Sequence, residues 1–355
     1  MTGRVLVARL DNLGDVLLAG PCVRAVARSA DAVTMLVGPR GRAAAELLPG
    51  VDEIVCWRAP WIDPEPAPVD AGMIDDIVRR IRALRVDAAL ILTSFHQSPL
   101  PLALTLRLAG VPWIGAISDD YPGSLLDLRH RVDGDPPEAL RGLSLAAAAG
   151  FRLPRRDWHP RVKHPLPGVR RLVGEPGYIV VHPAASAAAR QPSAATSAAI
   201  VRGLTEAGHR VVVTGGPGDT DLTHAISDSA GDPESVLDLG GKTSLPQLAA
   251  VLDNAAAVVA PNTSAAHLAT AVGTPVVSLF APVVPAGRWA PYGVECLLLG
   301  DQAAACRGSR ARTCPVTGHP CLDSLDPDQV VGAVAQLTPG HSPEEVDRND
   351  QRLAS

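Results

Sequence analysis

An α/β protein with two doubly wound, Rossmann-like domains of parallel sheet is what this sequence predicts, on three observations. Short apolar runs alternate with segments of helical spacing up to residue 117. The same alternation starts again at residue 178, and a proline- and arginine-rich stretch, 153–177, separates the two series. Such alternation means βαβ units, with helices covering both faces of a parallel sheet. The chain has 355 residues, enough for two cores at about 100–200 residues per domain.

In order, RVLVAR (4–9) is an apolar strand run that ends in the loop Asp11-Asn12-Leu13-Gly14-Asp15, and 16–28 has helical spacing. A strand at 32–37, a helix at 41–48, a strand at 53–57, a helix at 73–84 and a strand at 87–93 follow. A helix at 100–109 and a strand at 112–117 close the first series, and the Pro-rich insert 59–72 reads as a surface loop. The second series has strands at 178–182, 209–214, 236–239, 256–260 and 275–280. Its helices fall within 194–207, after Asp219, at 245–253 and from Ser264. The expected domains are residues 1–165 and 166–338, followed by a polar, aperiodic and disordered tail, 339–355. Ligands in doubly wound folds bind at the carboxyl ends of the strands. The site is therefore expected in a cleft that the two domains face.

Composition narrows the function. Charged residues make up 19% and the formal net charge is -5, which argues against a nucleic-acid partner, since that needs clustered positive charge. No run reaches the roughly 18–20 apolar residues of a transmembrane helix, and no signal-peptide pattern precedes the first strand, so a cytoplasmic protein is expected. The cysteines at 22, 56, 296, 306, 314 and 321 do not read as a disulfide framework. With His319, the last three suggest a four-ligand zinc site, but their spacing lacks C-x2-C knuckles. Partly buried thiols in an irregular loop are the better reading.

Three turns in the second half suit phosphate. The strand at 209–214 runs through Thr214 into Gly215-Gly216-Pro217-Gly218-Asp219; Gly240-Gly241-Lys242-Thr243-Ser244-Leu245 is a second such loop. Asn262-Thr263-Ser264-Ala265-Ala266-His267 opens a helix as the third. Glycines let backbone N–H groups approach an anion, and helix N-termini favour negative charge. Tight turns and helix caps explain the same residues equally simply. None matches G-x-G-x-x-G or a Walker loop, so nicotinamide and P-loop chemistry lose support.

Taken together, these segments resemble glycosyltransferase family 9, the bacterial heptosyltransferase group with the GT-B fold. RVLVARLDNLGDVLLAGPCVRAV resembles the family's opening, and His182-Pro183-Ala184-Ala185-Ser186 resembles its HPGAS turn. TGGPGD, LGGKTSL and NTSAAHLATAVGTPVVSLFAP resemble its later nucleotide-side motifs, so the likeness covers roughly residues 3–335. The resemblance implies inverting, metal-independent transfer of a sugar, typically heptose from ADP-heptose, with no cofactor. The implied partners are an ADP-sugar donor and a glycan, lipid-linked or small-molecule acceptor, with peripheral membrane association among the expectations. Asp15 coincides with the position of the family's general base, although a carboxylate in a first helical turn also serves as a cap; Asp11 is the reserve. Gly14, His182, Ser186, Arg190, Thr214, Gly215, Gly216 and Asp219, with residues 241–245 and 262–267, become the nucleotide-sugar site. Asn262 stands where the family usually has Asp, and Arg190 stands in place of its Lys; an arginine still pairs with phosphate. Two alternatives remain: a nucleotide-sugar 2-epimerase, which acts on one bound sugar, and a degenerate protein that binds nucleotide-sugar without transferring it.

Overall fold

The computed structural model describes residues 3–230 and 234–339; residues 340–355 of the predicted tail lie outside the described residues. The chain divides between Lys163 and His164 into two compact units.

Unit 1 contains β1 (Arg4–Arg9), α1 (Leu13–Leu18), α2 (Gly20–Ala27), β2 (Ala32–Val37), α3 (Arg42–Leu47) and β3 (Glu53–Cys56). It continues with α4 (Ala71–Leu84), β4 (Ala88–Ile91), α5 (Leu100–Leu108), β5 (Trp113–Ile117), β6 (Leu128–His130) and α6 (Glu138–Ala148). Its sheet has the order β3-β2-β1-β4-β5-β6, parallel throughout. Because helices cover both faces, the central strands are apolar on both sides; β4, AALI, is wholly buried. Leu6, Leu36, Ile77, Ile81, Ile91, Leu102 and Ile114 form one layer of the core.

Unit 2 contains α7 (Arg170–Val173), β7 (Ile179–Val181), α8 (Ala194–Glu206), β8 (Val211–Gly215), α9 (Thr220–Ser229), β9 (Val236–Gly240) and α10 (Leu245–Asp253). After these come β10 (Ala257–Pro261), α11 (Ser264–Val272), β11 (Val276–Leu279), α12 (Ala286–Trp289), β12 (Cys296–Leu299), α13 (Pro320–Asp323) and α14 (Pro327–Leu337). The sheet order is β12-β11-β10-β7-β8-β9, again parallel. Both units thus share one doubly wound order. In each, the order reverses between the first strand and the fourth (β1/β4 and β7/β10), and the crevice at their carboxyl ends is the fold's ligand position.

Several elements differ from expectation. The single helix expected over 16–28 is two, α1 and α2, because Pro21 in the first turn of α2 has no N–H to continue the ladder. Helix α4 starts at Ala71, where the Asp70 carboxylate accepts from the Met73 N–H at 3.0 Å. The edge strands β6 and β12, and the helices α6 and α14, were not predicted. Both edge strands are short and only half-buried, so the sheet rather than local pattern defines them. The thiols of Cys306 and Cys321 are buried in the unit 2 core, with Cys314 packed against it. Among the described residues, no group of three or more His, Cys, Asp or Glu is placed to hold a metal ion.

Candidate functional site

In unit 1, the chain leaves β1 through Arg9, turns at Asp11 and Asn12, and enters α1 with Gly14 and Asp15 in its first turn. Asp15 does cap: its Oδ2 accepts the Asn12 N–H, at a long 3.3 Å. Its Oδ1 does something else, accepting from Arg9 Nη2 at 2.9 Å. Arg9 is 2% exposed and gathers three carboxylates. Besides Asp15 it contacts Asp11 (Nε to Oδ2, 2.8 Å) and Glu138 (Nη1 to Oε1, 2.8 Å). Ser94 Oγ, just past β4, accepts from Arg9 Nη2 at 3.0 Å, and Gln97 Nε2 donates to Asp11 Oδ1 at 2.5 Å. The cluster therefore sits at the β1/β4 switch point. Burial works against the Arg9 charge, but Asp11, Asp15 and Glu138 outweigh it and push its pKa up. For Asp15, burial is the largest influence and raises its pKa; Arg9 pulls it down, Asp11 and Glu138 raise it again, and it stands at about 6.

Beside this cluster a cavity of about 200 Å³ is lined by Phe95, His96, Ser98, Asp119, Asp120 and Arg141, among others. It brings together two loops that the sequence places at strand ends, after β4 and after β5. Ser98 Oγ donates to Asp120 Oδ2 at 2.8 Å, and Arg141 Nη1 is tied to the Thr93 carbonyl at 2.6 Å. Arg9 and Glu138 escaped the sequence reading. For Arg9 there was a signal, an arginine at the inward end of an apolar strand followed by two aspartates; for Glu138 there was none.

In unit 2, the equivalent switch point lies between the ends of β7 and β10. His182, buried after β7, shares a 3.0 Å hydrogen bond between Nδ1 and Thr214 Oγ1. Burial lowers its pKa to about 4, Asp219 pulling the other way. Arg190 Nη2 donates to Ser186 Oγ at 2.9 Å across the turn after β7. His267, in α11, is buried with no hydrogen-bond partner at Nδ1; burial, and then the Arg190 charge, lower its pKa to about 4. Arg190, His267 and the N-terminus of α11, with Asn262 buried and Thr263 and Ser264 half-buried, form one cationic, donor-rich corner.

The two glycine turns behave differently. The Gly216 N–H is taken by Asp219 Oδ2 at 2.8 Å, the Gly241 N–H by the Gly215 carbonyl at 3.0 Å, and the Lys242 N–H by the Leu239 carbonyl at 3.1 Å. Lys242 Nζ donates to the Asp238 carbonyl at 2.7 Å, and Ser244 makes a capping pair with Gln247 ahead of Leu245. A Cβ on Gly240 would sit 1.9 Å from Thr223 Oγ1, and one on Gly215 2.9 Å from Asp219 Cβ. These glycines permit close packing, and α11, like any helix, begins with N–H groups that have no partner within the helix.

Two doubly wound units of one topology, each with a polar cluster at its switch point, define a GT-B-type α/β protein. Comparison with known proteins agrees. The model of "Glycosyltransferase family 9 (heptosyltransferase)" matches residues 75–318, and the chain belongs to that family. Lipopolysaccharide heptosyltransferase 3 of Escherichia coli is 34% identical over 105 residues, 29% of this chain and 31% of that protein. That alignment therefore spans about a third of the curated relative. The structure of E. coli ADP-heptose LPS heptosyltransferase II superposes with a TM-score of 0.74 at 20% identity, covering 94% of this chain and 98% of that one. E. coli heptosyltransferase WaaC with ADP gives 0.69 at 16% identity, with 94% and 99% covered.

Proposed function

We propose that the protein is an inverting glycosyltransferase that moves a sugar, heptose from ADP-heptose, to a hydroxyl of a glycan, lipid-linked or small-molecule acceptor. The observation that carries this reading is Asp15: a carboxylate at the β1/β4 switch point, held by a buried arginine, with a pKa near 6. Such a group is ionised at neutral pH and still basic enough to take a proton, the balance a general base needs. In the proposed step the acceptor oxygen attacks the anomeric carbon and its proton passes to the Asp15 carboxylate. The bond from the anomeric carbon to the diphosphate oxygen breaks, and the electron pair leaves with the nucleoside diphosphate.

The cationic corner of unit 2 is the proposed donor site. Arg190 and the α11 N-terminus hold the diphosphate, with His267, neutral at pH 7, buried in α11 beside the Arg190 charge. In this reading those groups stabilise the leaving diphosphate without a divalent cation. The acceptor lies by the cavity lined by His96 and Asp120. The structural neighbours support the donor: one is an ADP-heptose LPS heptosyltransferase and another was solved with ADP.

The test is a transfer assay with ADP-heptose, alongside GDP-, UDP- and dTDP-sugars, each with and without EDTA. Release of ADP only with acceptor present, surviving chelation, is the expected result. An epimerised donor without acceptor would replace transfer with epimerisation. Binding without turnover on any acceptor would support a degenerate binding protein, and loss of activity in EDTA restored by Mg²⁺ would overturn the metal-independent reading.

A further inference from the structure

We propose that Glu138 is a positioning residue for Asp15, acting through Arg9 so that Asp15 is the carboxylate of the cluster that accepts a proton. The inference rests on the reading of Asp15 as general base. Two guanidinium groups, Arg9 and Arg141, face three carboxylates, those of Asp11, Asp15 and Glu138. Full ionisation leaves one negative charge uncompensated in a mostly buried site, which is costly. The support is unequal. Glu138 Oε1 takes both arginines, Arg9 Nη1 at 2.8 Å and Arg141 Nη1 at 3.2 Å, while its Oε2 is buried without a hydrogen-bond partner. Asp11 accepts from Gln97 Nε2 and, at 3.4 Å, from Ser94 Oγ, and pairs by charge with Arg9, whose Nε lies 2.8 Å away. Asp15 has one short contact, to an Arg9 nitrogen it shares with Ser94, and one long bond from Asn12. The proton therefore goes to Asp15, and to Oδ2, since Oδ1 faces Arg9.

Glu138 sits 129 residues from Arg9 in sequence, at the first position of α6, and occupies the opposite edge of the same guanidinium. By drawing on the Arg9 charge it keeps that charge from fully stabilising ionised Asp15. By fixing the plane of the fork it also fixes where Asp15 points. The remaining charged groups on elements packed against α1 lie elsewhere. Arg42 and Glu46 of α3 pair with each other at the exposed surface, Arg40 is exposed, and Arg24 of α2 donates to the His159 carbonyl.

The experiment compares wild type, Glu138→Gln and Glu138→Asp in two measurements. One is the pH dependence of kcat and of donor KM. The other is the titration of the Asp15 carboxyl by carbon NMR in the protein alone, its signal assigned by its absence in Asp15→Asn. Glu138→Gln removes a like charge and releases Arg9 to Asp15, so both midpoints should fall by roughly half a pH unit or more. Plateau kcat should fall about three-fold, as a weaker base takes the proton less well, at unchanged donor KM. Glu138→Asp keeps the charge and should leave the midpoint near that of wild type. Asp11→Asn removes the other competing carboxylate and should shift the midpoint the same way, which keeps the idea testable should Glu138→Gln fail to fold. An unmoved Asp15 midpoint in whichever of these two folds, or equal shifts in Glu138→Gln and Glu138→Asp, overturns the proposal. If the NMR midpoints move as expected but no variant, nor wild type, transfers any sugar, the glycosyltransferase reading fails and the charge clamp stands.

Discussion

Replacing Asp15 by Asn separates the base from the cap. The amide keeps the size and accepts the Asn12 N–H as well as the carboxylate does, but it cannot take the acceptor proton. A general base contributes about 10²–10⁴-fold, so kcat at saturating donor should fall by that order while donor affinity, in the proposed reading a property of unit 2, stays put. In wild type the acidic limb of the rate profile should rise with pH through about 6 and level above it. Stability supplies an independent readout. The folded-state pKa of Asp15 is raised from 3.8 to about 6, so the native state binds its proton more tightly than the unfolded chain does. The corresponding stability is present below about pH 4 and is lost as pH rises to about 6, a change of about 3 kcal/mol at the roughly 1.4 kcal/mol per pH unit of linkage. Asn does not titrate, and Arg9 keeps Asp11 and Glu138 as partners. Relative to wild type, Asp15→Asn should therefore gain stability between pH 4.5 and pH 7.5. The assay pairs turnover with thermal unfolding at those two pH values. Turnover within about three-fold of wild type would refute the base assignment, given the range above, and pass the role to Asp11. A stability difference that is flat with pH would refute the desolvated carboxylate.

Arg190→Ala removes a charged donor from the corner of unit 2 and should raise donor KM about ten-fold or more, at roughly 1.5–3 kcal/mol per charge-assisted bond; an unchanged KM would remove Arg190 from the donor site. His182 and His267 are held neutral, their pKa values lowered to about 4. Their stability contribution is present above about 6.5 and is lost as pH falls toward 4, about 3 kcal/mol each. Acid unfolding should therefore begin in unit 2, read by hydrogen exchange resolved along the chain, and equal protection in the two units at pH 4.5 would contradict it. Gly240→Ala places a methyl against buried Thr223 and should cost about 1–3 kcal/mol of stability, with donor affinity unchanged in calorimetry; a neutral effect on melting would mean the turn relaxes freely.

Much of the fold was legible because its cause is local. A strand buried on both faces, such as VVVTG in β8 or AVVAP in β10, reads as an apolar run wherever it lies in the chain. Glycine and proline punctuation then marks where each run ends. The doubly wound order follows from that alternation, and with it the rule that polar residues after β1, β4, β7 and β10 gather at a switch point. The loop holding Asp15 and the start of α11 were singled out instead by their cap-like residues and by the family resemblance. Edge strands such as β6 were missed because three half-buried residues carry no periodic signal of their own.

By itself, then, the sequence determined the alternation of elements, the repeat of one doubly wound series and the polar loops at the strand ends, because each depends on neighbours a few residues apart. Only the tertiary structure decided what those loops do. It buried Asp15 against Arg9 and beside Asp11 and Glu138, Glu138 lying 129 residues from Arg9 in sequence, and burial above all raised the Asp15 carboxyl. It also closed the N–H groups of Gly216 and Gly241 in bonds to Asp219 and Gly215. Proton affinity and donor availability are set by burial and by the sum of nearby charges, and both come into being only when distant segments pack together.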